Sequence, residues 1–254
     1  RKRCKKLRAL MRLYRPADKQ TYRTENRAFR DASRLLGTLR DYDALSETAE
    51  KLKGDEAPAE VAQAVDEIQR VLMLRRNQAA NGEHPAPERL DQFRDAMEEG
   101  LRRVEQWQIG VDGGRTLAAG TRRSYRRARK AMAQAYEDPS AENFHEWRKR
   151  VKYHWYHTRL LRDLWKPVLK ARRDELDELS DLLGDEHDLA VLAQTLCDDP
   201  ELNESEAART MLPRIEAQRG KLQTDARPLG KRLFAEKPKS LAASVGDYWT
   251  AWRA

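Results

Sequence analysis

An all-α protein is what this chain predicts, and three features of the sequence carry that expectation. β-Branched residues are too scattered to build a convincing strand. Apolar residues recur at helical rather than alternating spacing. Clusters of Gly, Pro, Asp and Asn then cut the chain into long helix-length segments.

Taken in order, the first segment opens RKRCKKLRALMRLYR, with eight basic residues and no acid in residues 1–15. On a helix Arg1, Lys2, Lys5 and Arg12 form a stripe opposite Cys4, Leu7, Met11 and Tyr14. Residues 41–60 turn acid-rich, and the breakers KGDEAP (53–58), NGEHPAPE (81–88) and IGVDGGRT (109–116) follow. The GVDGG stretch is the candidate joint between two halves. Residues 115–136 predict a basic helix, on which RRSYRRARK (122–130) holds six cations and no acid. Its apolar line, Leu117, Ser124, Ala128 and Ala135, faces away from Arg122, Arg126 and Lys130, with Arg129 on the flank.

After EDPSAE (137–142), Asp138 before Pro139, then Ser140 and Glu142, mark a helix start. The helix it opens, FHEWRKRVKYHWYHTRLL (144–161), crowds Arg and Lys with three histidines, and Glu146 is its only acid. At 100° per residue His145, Arg148, Lys149, Lys152, Tyr156 and Arg159 fall within roughly a quarter of the circumference. Trp147, Val151, Thr158, Leu161 and Trp165 take the other side as the face to bury. Residues 174–188 (DELDELSDLLGDEHD) then carry eight carboxylates and no Lys or Arg, a block that looks segregated from the basic faces. DDPELNES (198–205) and AEKPKS (235–240) divide the remainder.

The chain also resembles itself at an offset of 147 residues. Arg1, Lys2, Arg3 and Lys5 align with Arg148, Lys149, Arg150 and Lys152, and Arg12, Leu13 and Arg15 with Arg159, Leu160 and Arg162. Ser33, Leu35, Leu36, Gly37, Asp41 and Leu45 fall on Ser180, Leu182, Leu183, Gly184, Asp188 and Leu192 without a gap. The expectation is a single domain over 1–254, a first helical half at 1–109 and a second at 115–254. The halves would be two pseudo-two-fold-related bundles of about four helices each, with a basic central groove or pore. His145 aligns two residues before Arg1, so residue 1 is expected to lie inside its first basic helix, with a segment preceding it.

Composition narrows the function. With 254 residues and 39% hydrophobic content the chain suffices for a packed core, and no apolar run approaches a membrane span. Its two cysteines, Cys4 and Cys197, lack the spacing of a disulfide framework or zinc knuckle, which fits a reducing, cytoplasmic compartment. A net charge of +8, concentrated in blocks, points to an anionic partner. Stripes of one sign repel themselves, and converging on a polyanion relieves them, each charge-assisted hydrogen bond contributing roughly 1.5–3 kcal/mol. His145, beside Arg and Lys, is disfavoured as a cation until an anion arrives, so binding should tighten at mildly acidic pH.

With HEWRKRVK (145–152), LLGDEHDLAVL (182–192) and RRSYRRARKAM (122–132), repeated in part as RKRCKK and LLGTLRDYDAL, the chain resembles the conserved histidine α-helical domain family, CHAD. The resemblance covers essentially the whole chain. It implies an all-helical, duplicated fold that binds inorganic polyphosphate on a basic central surface, without a cofactor. It also implies association with polyphosphate granules or with a CYTH-type triphosphate enzyme as partner. The family's motif histidine carries over to His145, and its basic positions to Arg148, Lys149 and Lys152, with Arg1, Lys2, Lys5 and Arg8 in the first copy. Trp155 stands where the family often has Arg. The Leu-Gly-x-x-x-Asp elements at Gly37/Asp41 and Gly184/Asp188 look structural, and Asp41 and Asp188 either pair with the basic helices or act as helix-start carboxylates.

The polyphosphate-binding set is thus Arg1, Lys2, Lys5, Arg8, Arg12, Arg122, Arg126, Arg129, Lys130, His145, Arg148, Lys149, Lys152 and Arg159. Nucleic acid, RNA above all, is the competing partner, although no helix-turn-helix, zinc finger or RNP string is present. Catalysis is not expected, since GxxxxGK[ST] is absent. Glu142-x-x-His145 matches half of a di-metal helical pattern whose second half is missing. His154 and His157, three apart, have ligand spacing, and no metal is assigned to them. Oligomeric state stays open.

Overall fold

The computed structural model describes residues 2–36, 38–54, 56–80, 86–107 and 112–254. Arg1, Gly37 and, in the candidate joint, Gly110 and Val111 lie outside them. The chain is all-α: among the described residues there are ten α-helices and no strand. They are α1 (Lys2–Tyr14), α2 (Lys19–Arg34), α3 (Thr38–Lys53), α4 (Ala59–Ala80), α5 (Ala86–Glu105), α6 (Gly113–Glu137), α7 (Ala141–Leu160), α8 (Lys166–Asp198), α9 (Glu206–Leu233) and α10 (Pro238–Arg253), with a 3₁₀ turn at Arg162–Leu164.

Local chemistry sets several of the starts. Asp18 accepts hydrogen bonds from the backbone N–H groups of Gln20 and Thr21 at 2.8 and 2.9 Å, capping α2 after Pro16 has broken the chain. Asp112 caps α6 through Arg115 N–H. Ser140 caps α7 by accepting from Asn143 N–H at 3.2 Å, where the sequence places the start.

Two compact units emerge, and they cut across the sequential halves. The first joins residues up to Leu35 with Asp91–Asp181 and Arg227–Ala254; the second joins Leu36–Leu90 with Leu182–Ala226. In the second unit Leu45, Val65, Ile68 and Leu72 from α3 and α4 pack with Leu192, Leu196, Met211 and Ile215 from α8 and α9. Full burial of such side chains contributes about 1.5–3 kcal/mol each. Its ion pairs are partly enclosed: Arg75 grips Asp199 through two bonds of 2.8 and 3.0 Å, and Arg219 reaches the buried Glu186 at 2.9 Å.

The first unit holds the basic helices. Its core is aromatic, with Tyr136 edge to face with Phe144 and Trp147 at centroid distances of 5.4 and 5.5 Å, Phe144 tilted against Trp147 at 6.0 Å, and Tyr125 against Phe234 at 5.3 Å. Trp147, Val151, Thr158 and Leu161 are buried as the helical pattern predicts, but Trp165 is 48% exposed. It lies beyond the end of α7, after the 3₁₀ turn, where the 100° progression no longer applies, and meets Tyr248 edge-on at 4.9 Å. Tyr156, placed on the cationic stripe by spacing, is 9% exposed.

Candidate cationic surface

α7 is fastened to α1 from the inside. His157, fully buried, holds its Nε2 2.9 Å from the carbonyl oxygen of Ala9, which makes that nitrogen the donor. α6 comes equally close, because Gly120 meets the backbone of Leu13 with no Cβ between them. α1, α6 and α7 therefore pack on one another as a group within the first unit, and each turns a different set of cations outward.

On α7 the predicted stripe forms. His145, Arg148, Lys149 and Lys152 are all half-buried, and Arg159 is exposed. His145 has its pKa lowered by burial first and then by Lys149 and Arg148, the electrostatic situation expected from its neighbours. Arg148 Nε and Trp155 Nε1 are shielded from solvent without a hydrogen-bond partner. Trp155 has Lys152 Nζ 5.1 Å and the Arg159 guanidinium 5.8 Å from its ring. Burial lowers the Lys152 pKa, while Asp181 and Asp177 of α8 pull it back up. Those two carboxylates correct the expectation that the acidic block stays apart from the basic faces: α8 starts within the same compact unit. Lys149 is partly neutralised, paired with Glu146 at 2.6 Å.

The other predicted positions divide. Lys2 and Lys5 are exposed on α1, as are Arg122, Arg126 and Lys130 on α6. Arg8 donates from Nε to Asn26 Oδ1 at 3.3 Å. Arg129 donates to the carbonyl oxygen of Glu236 at 2.8 Å, which ties α6 to the loop before α10. Arg122 lines a groove between α6 and α10 with Arg115, Lys239 and Trp249, away from the α7 stripe. Arg1 lies outside the described residues.

Arg12 belongs to a different constellation from the rest of its stripe. It lines a cleft with Arg15, Tyr22, Arg123, Ser124, Arg127, Arg150 and Tyr153. Its guanidinium lies 3.7 Å above the Tyr153 ring centroid, and Arg15 lies 4.7 Å above that of Tyr22. Arg15, Arg123, Arg127 and Arg150 were within the basic runs of the sequence but absent from the predicted set. Arg123 and Arg127 are one turn apart, a spacing that puts them on a common face beside Arg122 and Arg126, and that spacing was the available signal.

The two histidines at ligand spacing are engaged with other groups. His154 and His157 are fully enclosed; His154 Nε2 accepts from Arg172 Nε at 3.2 Å, and His157 Nε2 is engaged by Ala9. Among the described residues no group of three or more His, Cys, Asp or Glu converges. No helix among them is long and apolar enough to cross a membrane.

Comparison with known proteins gives one match of substance: a family model described as the CHAD domain matches residues 1–197. No curated protein and no solved structure matches the chain.

Proposed function

The chain belongs to the CHAD domain family, and from that premise we propose that it binds inorganic polyphosphate through the basic helices of its first unit, without catalysing a reaction on it. The observation that carries this reading is the α7 stripe. Arg148 has a shielded Nε with no acceptor, Lys152 is partly desolvated, and His145 has its pKa lowered by burial and then by Lys149 and Arg148. An anion laid along these side chains supplies the missing acceptor and reverses the repulsion that lowers the His145 pKa. Arg126 and Lys130 add exposed positive charge on α6. With no bases to recognise, charge density and chain length set selectivity. Polyphosphate granules, or an associated CYTH-type triphosphate enzyme, are the settings this activity suits.

One titration series tests it. Long-chain polyphosphate is titrated into the intact chain and into Arg148→Glu/Lys152→Glu, with helicity checked by circular dichroism. The variant is expected to bind at least tenfold more weakly. Affinity of the wild-type chain should fall steeply from 50 to 300 mM salt, as counterion release requires, and tighten from pH 8 to pH 6 as His145 takes up a proton. Equal affinity in the folded variant rejects the stripe as the grip. Single-stranded RNA that competes as well as polyphosphate at matched phosphate concentration would transfer the site to nucleic acid.

A further inference from the structure

Five guanidinium groups meet in the cleft bounded by α1, α2, α6 and α7: Arg12, Arg15, Arg123, Arg127 and Arg150. Arginine keeps its proton under all ordinary conditions, so five converging charges need an explanation in counter-charge. The carboxylate that faces them among the described residues is Glu146, and it is shared. One of its oxygens pairs with Arg150 and the other with Lys149 on the outside of α7.

Aromatic rings do the holding instead. Arg12 rests on Tyr153 and Arg15 on Tyr22, while Arg150 lies 5.8 Å from the Tyr153 centroid. A ring face attracts a cation by roughly 0.5–2 kcal/mol but adds no negative charge and accepts none of the in-plane N–H bonds. The guanidinium planes of Arg12 and Arg15 are thereby oriented around a narrow space of about 20 Å³, which an entering anion widens by displacing the ordered side chains at its mouth. Arg12 uses one N–H on the carbonyl oxygen of Arg8, at 2.6 Å. The cluster bears its own repulsion: Arg12, Arg123 and Arg127 all have their proton affinity lowered by burial first, with neighbouring arginines next at Arg123 and Arg127, while at Arg12 Tyr153 and Tyr22 oppose the shift ahead of Arg8 and Arg150.

The arrangement also limits what can enter. Forks approach from three helices and from the turn after α1, and the hydroxyl-bearing Tyr22, Tyr153 and mostly buried Ser124 fill the space between them. A planar carboxylate satisfies one fork at a time; a tetrahedral oxyanion presents oxygens in several directions and satisfies several. The Arg148–Lys152 stripe lies about a third of the α7 circumference away from Arg150 and Tyr153, so the two surfaces are separate.

We propose that this arginine cleft is a binding site for a compact phosphate dianion, either free inorganic phosphate or pyrophosphate, or the terminal phosphoryl group of a longer chain. The site stands apart from the long-chain reading and does not require it.

The test titrates sodium pyrophosphate and orthophosphate into the intact chain by calorimetry at low ionic strength, beside Arg123→Gln/Arg127→Gln and the milder Arg15→Gln. Pyrophosphate affinity should fall at least tenfold in the double variant and several-fold in Arg15→Gln, and by less than threefold in Arg148→Gln/Lys152→Gln. Without phosphate the double variant should melt at or above the wild-type temperature, because repulsion has been removed; a structural role for these arginines would lower it. Displacement of pyrophosphate by polyphosphate with free ends, but not by chains with blocked ends, assigns the site to chain ends; no displacement by either assigns it to free phosphate. Unchanged pyrophosphate affinity in a folded double variant, or no binding by the wild-type chain at millimolar pyrophosphate, overturns the proposal. Loss of long-chain binding in Arg148→Glu/Lys152→Glu would leave the stripe standing whichever way the cleft result falls.

Discussion

His157 lies wholly inside the first unit against Ala9, and burial drives its pKa down to about 4, with Arg12 adding in the same direction. The ordinary value is 6.5, so as pH falls the unfolded chain takes up the proton before the folded one does. The stabilisation is complete above about pH 6.5 and is lost as pH falls towards 4, a difference of roughly 3 kcal/mol. His154, pushed well down by burial and by Arg172, shifts stability in the same sense. Urea unfolding at pH 7, 5.5 and 4 checks this: the midpoint should drop across the series, and His157→Gln should flatten the drop. A wild-type midpoint that holds to pH 4 would contradict it. Spacing alone made His154 and His157 look like potential metal ligands and could not reveal their enclosure, since that depends on α1 and on Arg172 arriving from elsewhere in the chain. His145 was legible because its surroundings are its own helix: Arg148 and Lys149 are one turn away.

Helix positions were written into local sequence wherever a cap or breaker stood, as at Ser140 for α7. What the period could not specify is which of two adjacent faces meets another helix. On α6 the line through Ser124, Ala128 and Ala135 is buried as expected and Arg122, Arg126 and Lys130 are exposed, yet Arg123 and Arg127 beside them face the arginine cleft. Long-range packing decides this, and Gly120 is its hinge point. A Cβ added there would lie 2.7 Å from Leu13 Cα, against backbone that cannot rotate aside. Gly120→Ala gains up to about 1 kcal/mol of helix propensity but overpacks the α1–α6 crossing, a cost of about 1–3 kcal/mol. The crossing should dominate, so thermal unfolding is expected at a lower temperature, accompanied by weaker pyrophosphate binding as Arg12 and Arg15 move away from Arg123 and Arg127. A variant more stable than wild type would show that α1 yields freely. The repeat also changes at this scale. The 147-residue sequence offset carries Lys19–Arg34 onto 166–181 and Thr38–Lys53 onto 185–200, yet α8 runs as one helix from Lys166 to Asp198 where α2 and α3 are two, so the helices do not follow the expected duplication there.

For the molecule as a whole, fold class and family followed from patterns that repeat over many residues, whereas the division into units did not. Each unit takes segments from both sides of the expected joint, and contacts between distant segments leave no mark on local composition. With 50 basic against 42 acidic residues, the proposed polyanion binding would stabilise the folded chain. A ligand at a hundred times its dissociation constant adds about 2.7 kcal/mol, which for a chain of this size raises the melting temperature by roughly 5–10 °C. Differential scanning calorimetry with and without long-chain polyphosphate should show this rise at low salt and its loss in Arg148→Glu/Lys152→Glu; a wild-type shift near zero would speak against tight binding. Trp155 has a further use. Its indole lies beside Lys152 and Arg159, so a phosphate chain bound as proposed would alter the field around a natural fluorophore and make it a label-free optical reporter of occupancy.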